Sequence, residues 1–251
     1  MPAINSYALF AKYYDQLNFN SFSNHAVHYL NDILATLNFD GTKILDVACG
    51  TGTSSIWFAE KGYQVTGIDI SPQMIRMAKR KHLSSDVNIH FLVRDMRTMQ
   101  FKKPFDLAIC MFDSLNHLTS YRAFETALKN ISANLVPRGS FIFDLITPYE
   151  LSMRWNNIIR HETNGKVSLL LKSHYDKKIK RVEIQGDFLI KTTKKVLRYT
   201  RYFHNKAYTK TEINKAIRKS GLKLLHQYDY YSFEKPFTKS CRICYITQKI
   251  I

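Results

Sequence analysis

One stretch near the start of the chain decides its predicted fold, and it reads Ile44-Leu45-Asp46-Val47-Ala48-Cys49-Gly50-Thr51-Gly52-Thr53. The apolar run that ends at Val47 predicts a strand buried on both faces, and residues 54–61 predict a helix that Gly62 ends. A strand, a turn of small residues and a helix form the first half of a nucleotide-binding βαβ unit. Gly50 and Gly52 permit the backbone angles and the close ligand approach that such a turn needs.

The turn has the chemistry of a site for a cation rather than for a diphosphate. It lacks the G-x-G-x-x-G pattern of dinucleotide-binding folds, and it has no Gly-Lys-Ser/Thr of a P-loop. Asp46 stands at the predicted strand end, where a carboxylate attracts a cationic ligand and repels phosphates. A glycine turn in an unrelated α/β protein is the alternative for this stretch taken alone.

Asp46-Val47-Ala48-Cys49-Gly50-Thr51-Gly52 resembles the first motif of the class I S-adenosylmethionine-dependent methyltransferases, acidic-x-Gly-x-Gly-x-Gly. Ala48 stands in the first glycine position. The resemblance implies S-adenosylmethionine as cofactor, with S-adenosylhomocysteine as product. It also implies a Rossmann-like fold.

Strands and helices alternate after this turn. Predicted strands end at Asp69, at Val93, at Phe112 and at Leu145, with helical segments between most of them. This order predicts an α/β fold with a doubly wound, mostly parallel sheet, which is seven-stranded in the resembling family. A pattern rich in β-branched and aromatic residues follows Pro148 and predicts an inserted antiparallel β lobe. We therefore expect a methyltransferase core, residues 1–150 and 206–251, and a substrate-side lobe, residues 151–205.

Several residues follow predicted strand ends and should meet at one edge of the sheet. Asp69 lies about 20 residues beyond the glycine turn, where a carboxylate can hold both ribose hydroxyls. The resemblance implies that Asp95 faces the adenine amino group, with Met96 beside the ring. The full set of expected cofactor-binding residues is Asp46, Ala48, Cys49, Gly50, Gly52, Asp69, Ile70, Met74, Asp95, Met96 and Met111.

Methyl transfer requires alignment of nucleophile, carbon and sulfur, and a group that accepts a proton. His117 follows the fourth predicted strand, where an imidazole can accept a proton, and Tyr14 lies in the amino-terminal helical region. These two are the expected catalytic residues, with Asn116 and Tyr13 as further candidates. A helix-capping or packing role is the alternative for His117. No metal site is expected, because the sequence offers no convincing cluster of metal ligands.

Residues 110–118, Cys-Met-Phe-Asp-Ser-Leu-Asn-His-Leu, resemble the matching segment of nucleotide-linked amino-sugar N,N-dimethyltransferases. Phe10-Ala11-x-x-Tyr14-Asp15 is similar to the amino-terminal stretch of the same family. Residues 144–148 depart from it by replacing a tryptophan-bearing segment, which leaves the sugar substrate open. Residues 111–114 also lack the Asp/Asn-Pro-Pro-Tyr/Phe sequence of methyltransferases that act on amino groups of DNA bases.

Composition indicates the cellular compartment in which the protein is expected. No apolar stretch approaches the ~20 residues that span a bilayer, and the first 14 residues lack a signal-peptide pattern, so we expect a cytoplasmic protein without a membrane partner. Cys49 and Cys110 fall in predicted core segments, which favours reduced thiols. Cys241 and Cys244 form a lone CxxC in an apparent strand, for which a structural role is favoured.

The formal net charge of +17 is concentrated in the second half of the chain. Residues 1–150 hold 14 of the 37 basic and 13 of the 20 acidic side chains, so they are nearly neutral. A basic second half attracts nucleic acid, an anionic membrane or an acidic small molecule, and a lysine-rich solvated surface is the plain alternative. Within the lobe, Arg154, Arg160, Arg198 and Arg201 are the arginines able to grip an anion. Strand alternation predicts that at most one of Arg198 and Arg201 points inward.

Together these observations predict a methyltransferase that N-methylates a small-molecule amine. If the basic lobe binds the acceptor, that amine also carries an anionic group. The alternative is an RNA methyltransferase, or a non-catalytic RNA-binding protein that uses the basic second half. The sequence leaves the oligomeric state open, a homodimer included.

Overall fold

The computed structural model describes residues 6–83, 87–193 and 195–250, and side chains from Phe10 onward. It contains a seven-stranded sheet with the strand order β10-β11-β5-β4-β1-β2-β3 and a separate four-stranded sheet with the order β6-β7-β8-β9. The first five strands pair in parallel, whereas β10, β11 and β5 pair antiparallel, as do all strands of the small sheet. The α/β fold class with an antiparallel β lobe is therefore confirmed.

The elements have the following bounds. The helices are α1 (Ser6–Tyr13), α2 (Ser21–Thr36), α3 (Thr53–Glu60), α4 (Pro72–His82), α5 (Tyr121–Ala133), α6 (Pro148–Arg154) and α7 (Lys210–Lys219), with a short 3₁₀ helix at Ser114–His117. The strands are β1 (Lys43–Val47), β2 (Gln64–Asp69), β3 (Ile89–Val93), β4 (Phe105–Cys110), β5 (Leu135–Ile146), β6 (Ile159–Thr163), β7 (Val167–Asp176), β8 (Arg181–Lys191), β9 (Val196–Lys206), β10 (Leu222–Asp229) and β11 (Arg242–Lys249).

The central strands of the large sheet are buried on both faces, as the continuous apolar runs predict. In β1, Ile44 packs into a core with α2, α3 and α4, whereas its neighbour Leu45 packs into the opposite core with α5 and α7. Helices on both faces shield the parallel strands from water, so only the strand ends remain accessible to a ligand. None of the described helices combines the length and the apolar character that a membrane span requires.

Three segments differ from what the sequence pattern predicts. Residues 137–139 are not a turn before the fifth strand, because β5 already begins at Leu135 and runs through them as a bulge. Arg138 adopts a left-handed φ of 63° there, and the bulge shifts the register between the Phe105–Leu135 and Leu107–Ser140 pairs of β4 and β5. The helix α6 was not expected, although Thr147 caps it and Pro148 stands at its first position. The edge strand β6 was also missed, since all its residues are exposed and show no alternation.

The four-stranded sheet packs its inner face on α1 and the following turn. Phe10 makes ring contacts with Phe188 of β8 and Phe203 of β9 at centroid distances of 5.8 Å and 5.4 Å. Tyr13 and Leu17 join the same apolar core. The amino-terminal segment thus links the small sheet to the glycine turn of the large one. The division of the chain at residues 150/151 and 205/206 stays a prediction.

The buried side chain of Asn116 joins the two sheets. Its Nδ2 donates to the carbonyl oxygens of Ile146 in β5 and Lys206 in β9, at 3.3 Å and 2.8 Å. Its Oδ1 accepts from the Ile146 amide at 3.0 Å. Asn116 therefore uses its polar atoms on backbone groups, and its expected role as a candidate catalytic group is wrong.

We predict that Asn116→Ala lowers the free energy of unfolding by about 2–4 kcal/mol, because it leaves three buried backbone groups without their partner. Chemical denaturation of the ligand-free protein measures this loss. Asn130→Ala is the matched control, because Asn130 Oδ1 has no hydrogen-bond partner. Equal losses for the two variants would contradict the assigned role of Asn116.

Candidate active site between the two sheets

A cavity of about 680 Å³ lies where the carboxyl ends of the parallel strands face the inner side of the four-stranded sheet. This volume falls within the range of small-molecule sites. Of the residues selected from sequence, those that line it are Tyr14, Asp46, Ala48, Cys49, Gly50, Asp69, Ile70, Met74, Asp95, Met96, Met111 and His117. Gly52 does not line it. A Cβ at Gly52 would lie 2.7 Å from Cζ of Phe91, so this glycine serves the packing of the turn on β3.

The glycine turn presents backbone to the cavity. Ala48, Gly50 and Gly52 all have left-handed φ angles, of 61°, 56° and 80°. A Cβ on Gly50 would meet no atom within 4 Å, so the space beside it is open to a ligand. At Ala48 the left-handed conformation costs roughly 1–2 kcal/mol, a strain that a glycine would avoid.

Asp69 fixes the turn and the start of the next loop. Its Oδ2 accepts from the Gly50 amide at 3.0 Å, and its Oδ1 accepts from the Ser71 amide at 2.8 Å. Burial raises the pKa of the carboxyl, and these two hydrogen bonds act in the opposite direction. The carboxylate is held in one orientation at the end of β2, with lone pairs left to accept from the hydroxyls of a ligand.

Asp46 is buried at the end of β1 and accepts a hydrogen bond from Ser55 Oγ at 2.6 Å. Burial raises the pKa of this carboxyl from 3.8 to about 6, although the hydrogen bond from Ser55 favours ionisation. A ligand cation placed near this carboxyl would lower its pKa again, since an opposite charge favours the ionised form.

An ion pair that the sequence did not predict attaches the amino-terminal segment to the glycine turn. Asp15 accepts from Thr51 Oγ1 at 2.7 Å and pairs with Lys81 Nζ of α4 at 2.6 Å. The same Nζ also donates to Thr51 and Thr53. These contacts hold the residues next to Asp15 against the glycine turn.

Tyr14 is brought into the cavity lining by this attachment. Its ring meets Phe10 edge-on and stacks on Phe19, at centroid distances of 5.3 Å and 5.4 Å. Burial, and then the negative charge of Asp113, raise the pKa of the phenol well above its usual value. Tyr14 therefore remains protonated near neutral pH and can donate a hydrogen bond, but it does not supply a phenolate base. Tyr13 packs in the core beside the small sheet instead.

His117 ends the 3₁₀ helix after β4 and is exposed to the cavity. Its Nδ1 lies 3.3 Å from the carbonyl oxygen of His204 in β9. A carbonyl only accepts, so this contact places the proton on Nδ1 and leaves Nε2 with its lone pair. The geometry thus provides a proton acceptor at the boundary between the two sheets.

The loop that carries His117 is held by a buried ion cluster that the sequence did not predict. Phe112 and Asp113 have left-handed φ angles of 61° and 50°, and Asp144 accepts from both of their amides, at 2.9 Å and 2.6 Å. Arg242 of β11 donates to Asp113 at 2.8 Å and lies 3.1 Å from Asp144. Asn205 of β9 donates to the other oxygen of Asp113 at 2.7 Å. Only an arginine within the lone CxxC marked this cluster in the sequence, and its partners lie about 100 residues away.

Asp95 lines the cavity as expected, but its carboxylate is already bound by Arg97. The carboxylate accepts from Arg97 Nε at 3.0 Å and from the Arg97 amide at 2.8 Å. These hydrogen bonds lower the pKa of Asp95 and keep it ionised. Its expected contact with adenine stays a prediction.

The CxxC pair is divided between two environments. Cys244 is buried in β11, whereas Cys241 is partly exposed near Arg154, and all four cysteines of the chain are free.

We predict that the raised pKa of Asp46 makes stability depend on pH. The folded protein holds this proton more tightly than the unfolded chain, so the contribution is full below about pH 4 and is lost as pH rises through about 6. The shift of about 2 pKa units corresponds to roughly 3 kcal/mol. The difference in unfolding free energy between wild type and Asp46→Asn, measured by urea denaturation, should therefore fall by this amount from about pH 4 to about pH 7.

Asp32→Asn on the exposed surface of α2 is the control for this measurement. A difference between wild type and Asp46→Asn that stays constant over the same pH range would contradict the assignment.

Known proteins share the domain and the fold that surround this cavity, whose edge at the carboxyl ends of the parallel strands is called the rim below. The methyltransferase domain family matches residues 44–139, from β1 into the bulge of β5. A Bacillus subtilis (strain 168) protein, YqeM, whose name includes the word methyltransferase, is 38% identical over 149 residues. The aligned part covers 58% of this chain and 58% of YqeM, so the match spans less than two thirds of that relative.

Solved structures share the whole architecture. An S-adenosylmethionine-dependent methyltransferase from Clostridium acetobutylicum ATCC 824 superposes with a TM-score of 0.86 at 24% identity, over 98% of this chain and 100% of that one. The sugar N-methyltransferase KedS8 from Streptoalloteichus sp ATCC 53650 gives 0.78 at 18% identity, over 95% of this chain and 93% of that one. At these identities the likeness shows the fold.

The expected fold class is therefore confirmed, as is a methyltransferase domain over residues 44–139, and the glycine turn with its carboxylates provides groups suited to S-adenosylmethionine. Beyond that domain, the chain shares the fold of a solved S-adenosylmethionine-dependent methyltransferase.

Proposed function

We propose that this protein transfers a methyl group from S-adenosylmethionine to the nitrogen of a small-molecule amine. The observation that carries the proposal is that one cavity includes both the carboxylate-bearing rim of the large sheet and the inner face of the small sheet. The small sheet covers the acceptor side, which suits a small molecule. The relative KedS8 is described as a sugar N-methyltransferase, which supports nitrogen as the acceptor atom.

The residues of the rim fit the cofactor. Asp46 and Asp69 provide negative charge and hydrogen-bond acceptors for a cationic, hydroxyl-bearing ligand, and the open space at Gly50 admits it close to the backbone. Ile70 is 60% exposed at the edge of the cavity, where an apolar side chain can cover a flat ring. When bound, S-adenosylmethionine supplies a methyl group on a positively charged sulfur.

Residues at the boundary of the two sheets remove the proton from the acceptor and orient it. His117 Nε2 accepts a proton from the acceptor nitrogen, because Nδ1 faces a carbonyl. Tyr14 stays protonated and orients the acceptor by donating a hydrogen bond. Enclosure between the sheets keeps the nucleophile aligned with the methyl carbon and excludes water.

RNA methylation, and RNA binding without catalysis, remain the competing proposal, based on the basic second half of the chain. Screening amine-bearing metabolites and bulk RNA for label transfer from methyl-labelled cofactor separates these functions. A nucleic-acid affinity that falls steeply with salt would support the competing proposal, since phosphate contacts release counterions.

We predict that Asp69→Ala weakens S-adenosylhomocysteine binding roughly ten- to hundredfold, because hydrogen bonds to a charged group are lost and the Gly50 amide is released. Calorimetric titration measures the dissociation constant. Asp95→Ala should weaken binding less, and Asp32→Ala on the surface of α2 should not change it. An unchanged affinity in Asp69→Ala would show that the ribose lies elsewhere.

We predict that His117→Ala lowers kcat at least about tenfold, in line with the usual contribution of a general base, while its affinity for S-adenosylhomocysteine is preserved. Steady-state kinetics with an acceptor from the screen, combined with calorimetry, checks both halves. His28→Ala, on the exposed side of α2, is the control. If turnover in His117→Ala equals that of wild type, the capping or packing role of this histidine is correct instead.

A further inference from the structure

The part of the cavity wall under the small sheet differs in chemistry from the rim. Side chains point inward at every second position of β7, β8 and β9, and most of those that line the cavity are apolar. Together with two residues at α6 they form what we call the apolar wall: Leu151, Trp155, Leu171, Val182, Ile184 and Phe203. Aliphatic and phenyl groups neither donate nor accept hydrogen bonds, so this wall favours a ligand body that is itself apolar.

The strand register places the apolar wall next to the candidate proton acceptor. Ile184 of β8 pairs with Phe203 of β9. The next residue along β9, His204, contacts His117 Nδ1 through its carbonyl oxygen. An acceptor whose nitrogen reaches His117 can therefore rest its body on the apolar wall.

Polar groups in this region are used within the protein. Trp155 Nε1 donates to Glu150 at 3.2 Å, and Asn205 Nδ2 donates to Asp113 at 2.7 Å. The strands β7 and β8 are paired along both of their edges, so the ladders of the sheet use their backbone groups. A hydroxyl-rich body buried here would lose its hydrogen bonds to water and regain few of them.

Aromatic rings of the amino-terminal segment complete the enclosure. Phe10, Tyr14 and Phe19 line the cavity, and each of them is only partly buried. The ring of Tyr14 meets Phe10 edge-on and stacks on Phe19. Rings gain from edge and offset contacts with other rings beyond the area that they bury. A ring in the acceptor therefore suits these surroundings.

The arginines expected to grip an anion lie in different settings. Arg198 is exposed on the outer face of the small sheet, as the alternation predicts, and Arg154 and Arg160 are exposed as well. Arg201 is buried, and its guanidinium lies against the ring of Phe203, with Cζ 4.5 Å from the ring centroid. Recognition of an apolar body uses none of these charges.

We propose that the acceptor is an arylalkylamine, with its ring on the apolar wall and its nitrogen at His117. This inference rests on the proposed function, since it names the substrate class of the same site. It differs from an amino-sugar acceptor, because the apolar wall does not replace the hydrogen bonds that sugar hydroxyls make with water.

The test measures binding of three probes to the protein saturated with S-adenosylhomocysteine, by calorimetry. The probes are 2-phenylethylamine, ethylamine, which lacks the ring, and 2-amino-2-deoxyglucose, which carries hydroxyls on its ring. We expect 2-phenylethylamine to bind roughly ten- to hundredfold more tightly than either of the others, the range for burying a phenyl-sized apolar group.

Two neighbouring leucines of β7 assign the preference to the apolar wall. Leu171 lines the cavity, whereas Leu170 lies on the outer face of the small sheet. Leu171→Asn should weaken 2-phenylethylamine binding roughly tenfold, and Leu170→Asn should not change it. Unchanged S-adenosylhomocysteine affinity in both variants shows that the site remains folded.

A second variant tests the same wall without adding a polar group. Leu171→Ala makes room beside the ring, so the bulkier 2-(1-naphthyl)ethylamine should gain roughly tenfold in affinity relative to 2-phenylethylamine. A gain of this kind cannot result from a loss of folding.

The proposal is overturned if 2-phenylethylamine does not bind at millimolar concentration, or if 2-amino-2-deoxyglucose binds as tightly. Equal losses in Leu171→Asn and Leu170→Asn, or an unchanged size preference in Leu171→Ala, would also contradict it. Labelled methyl transfer is measured separately. Transfer to 2-amino-2-deoxyglucose but not to 2-phenylethylamine would support the proposed function and overturn this inference, whereas tight 2-phenylethylamine binding without transfer to any amine would support the apolar site and contradict the proposed function.

Discussion

The ion cluster of Arg242 with Asp113 and Asp144 is the interaction on which the site depends. It joins the last strand, the fifth strand and the loop after β4, and it holds that loop with two consecutive left-handed residues. Such a conformation is costly for non-glycine residues and persists where surrounding contacts fix it. A buried carboxylate without its guanidinium would be strongly destabilising, so the geometry around His117 depends on a residue that is remote in sequence.

Two further sets of contacts hold this loop and the amino-terminal segment in place. Asn116 and Asn205 tie the loop to the small sheet, and Asp15 ties the amino-terminal segment to the glycine turn. The carboxyl ends of the parallel strands and the inner face of the small sheet therefore line one cavity. The chemistry changes across that cavity, from carboxylates at the strand ends to apolar side chains and a guanidinium under the small sheet.

Sequence patterns predicted the elements that depend on residues close together in the chain. The buried strand at residues 43–47, the glycine turn and Asp69 at the end of β2 all follow from apolar runs and small residues within one βαβ unit. The capping box of α7 is equally local, because its residues Thr209 and Glu212 are close in sequence. Long-range pairs such as Asp15 with Lys81 leave no local signal, and the exposed strand β6 has no alternation. The bulge at Arg138 is not predictable from its own residues, because Pro137-Arg138-Gly139 favours a turn as well as a bulge.

The most direct test of this account is a structure of the protein with S-adenosylhomocysteine bound. The account predicts the ribose hydroxyls on Asp69, the amino-acid part near the glycine turn and Asp46, and the sulfur facing His117 across the boundary of the two sheets. A ligand whose sulfur points away from His117, or whose adenosine lies under the small sheet against Arg201, would contradict the central claim that the two sheets divide cofactor from acceptor.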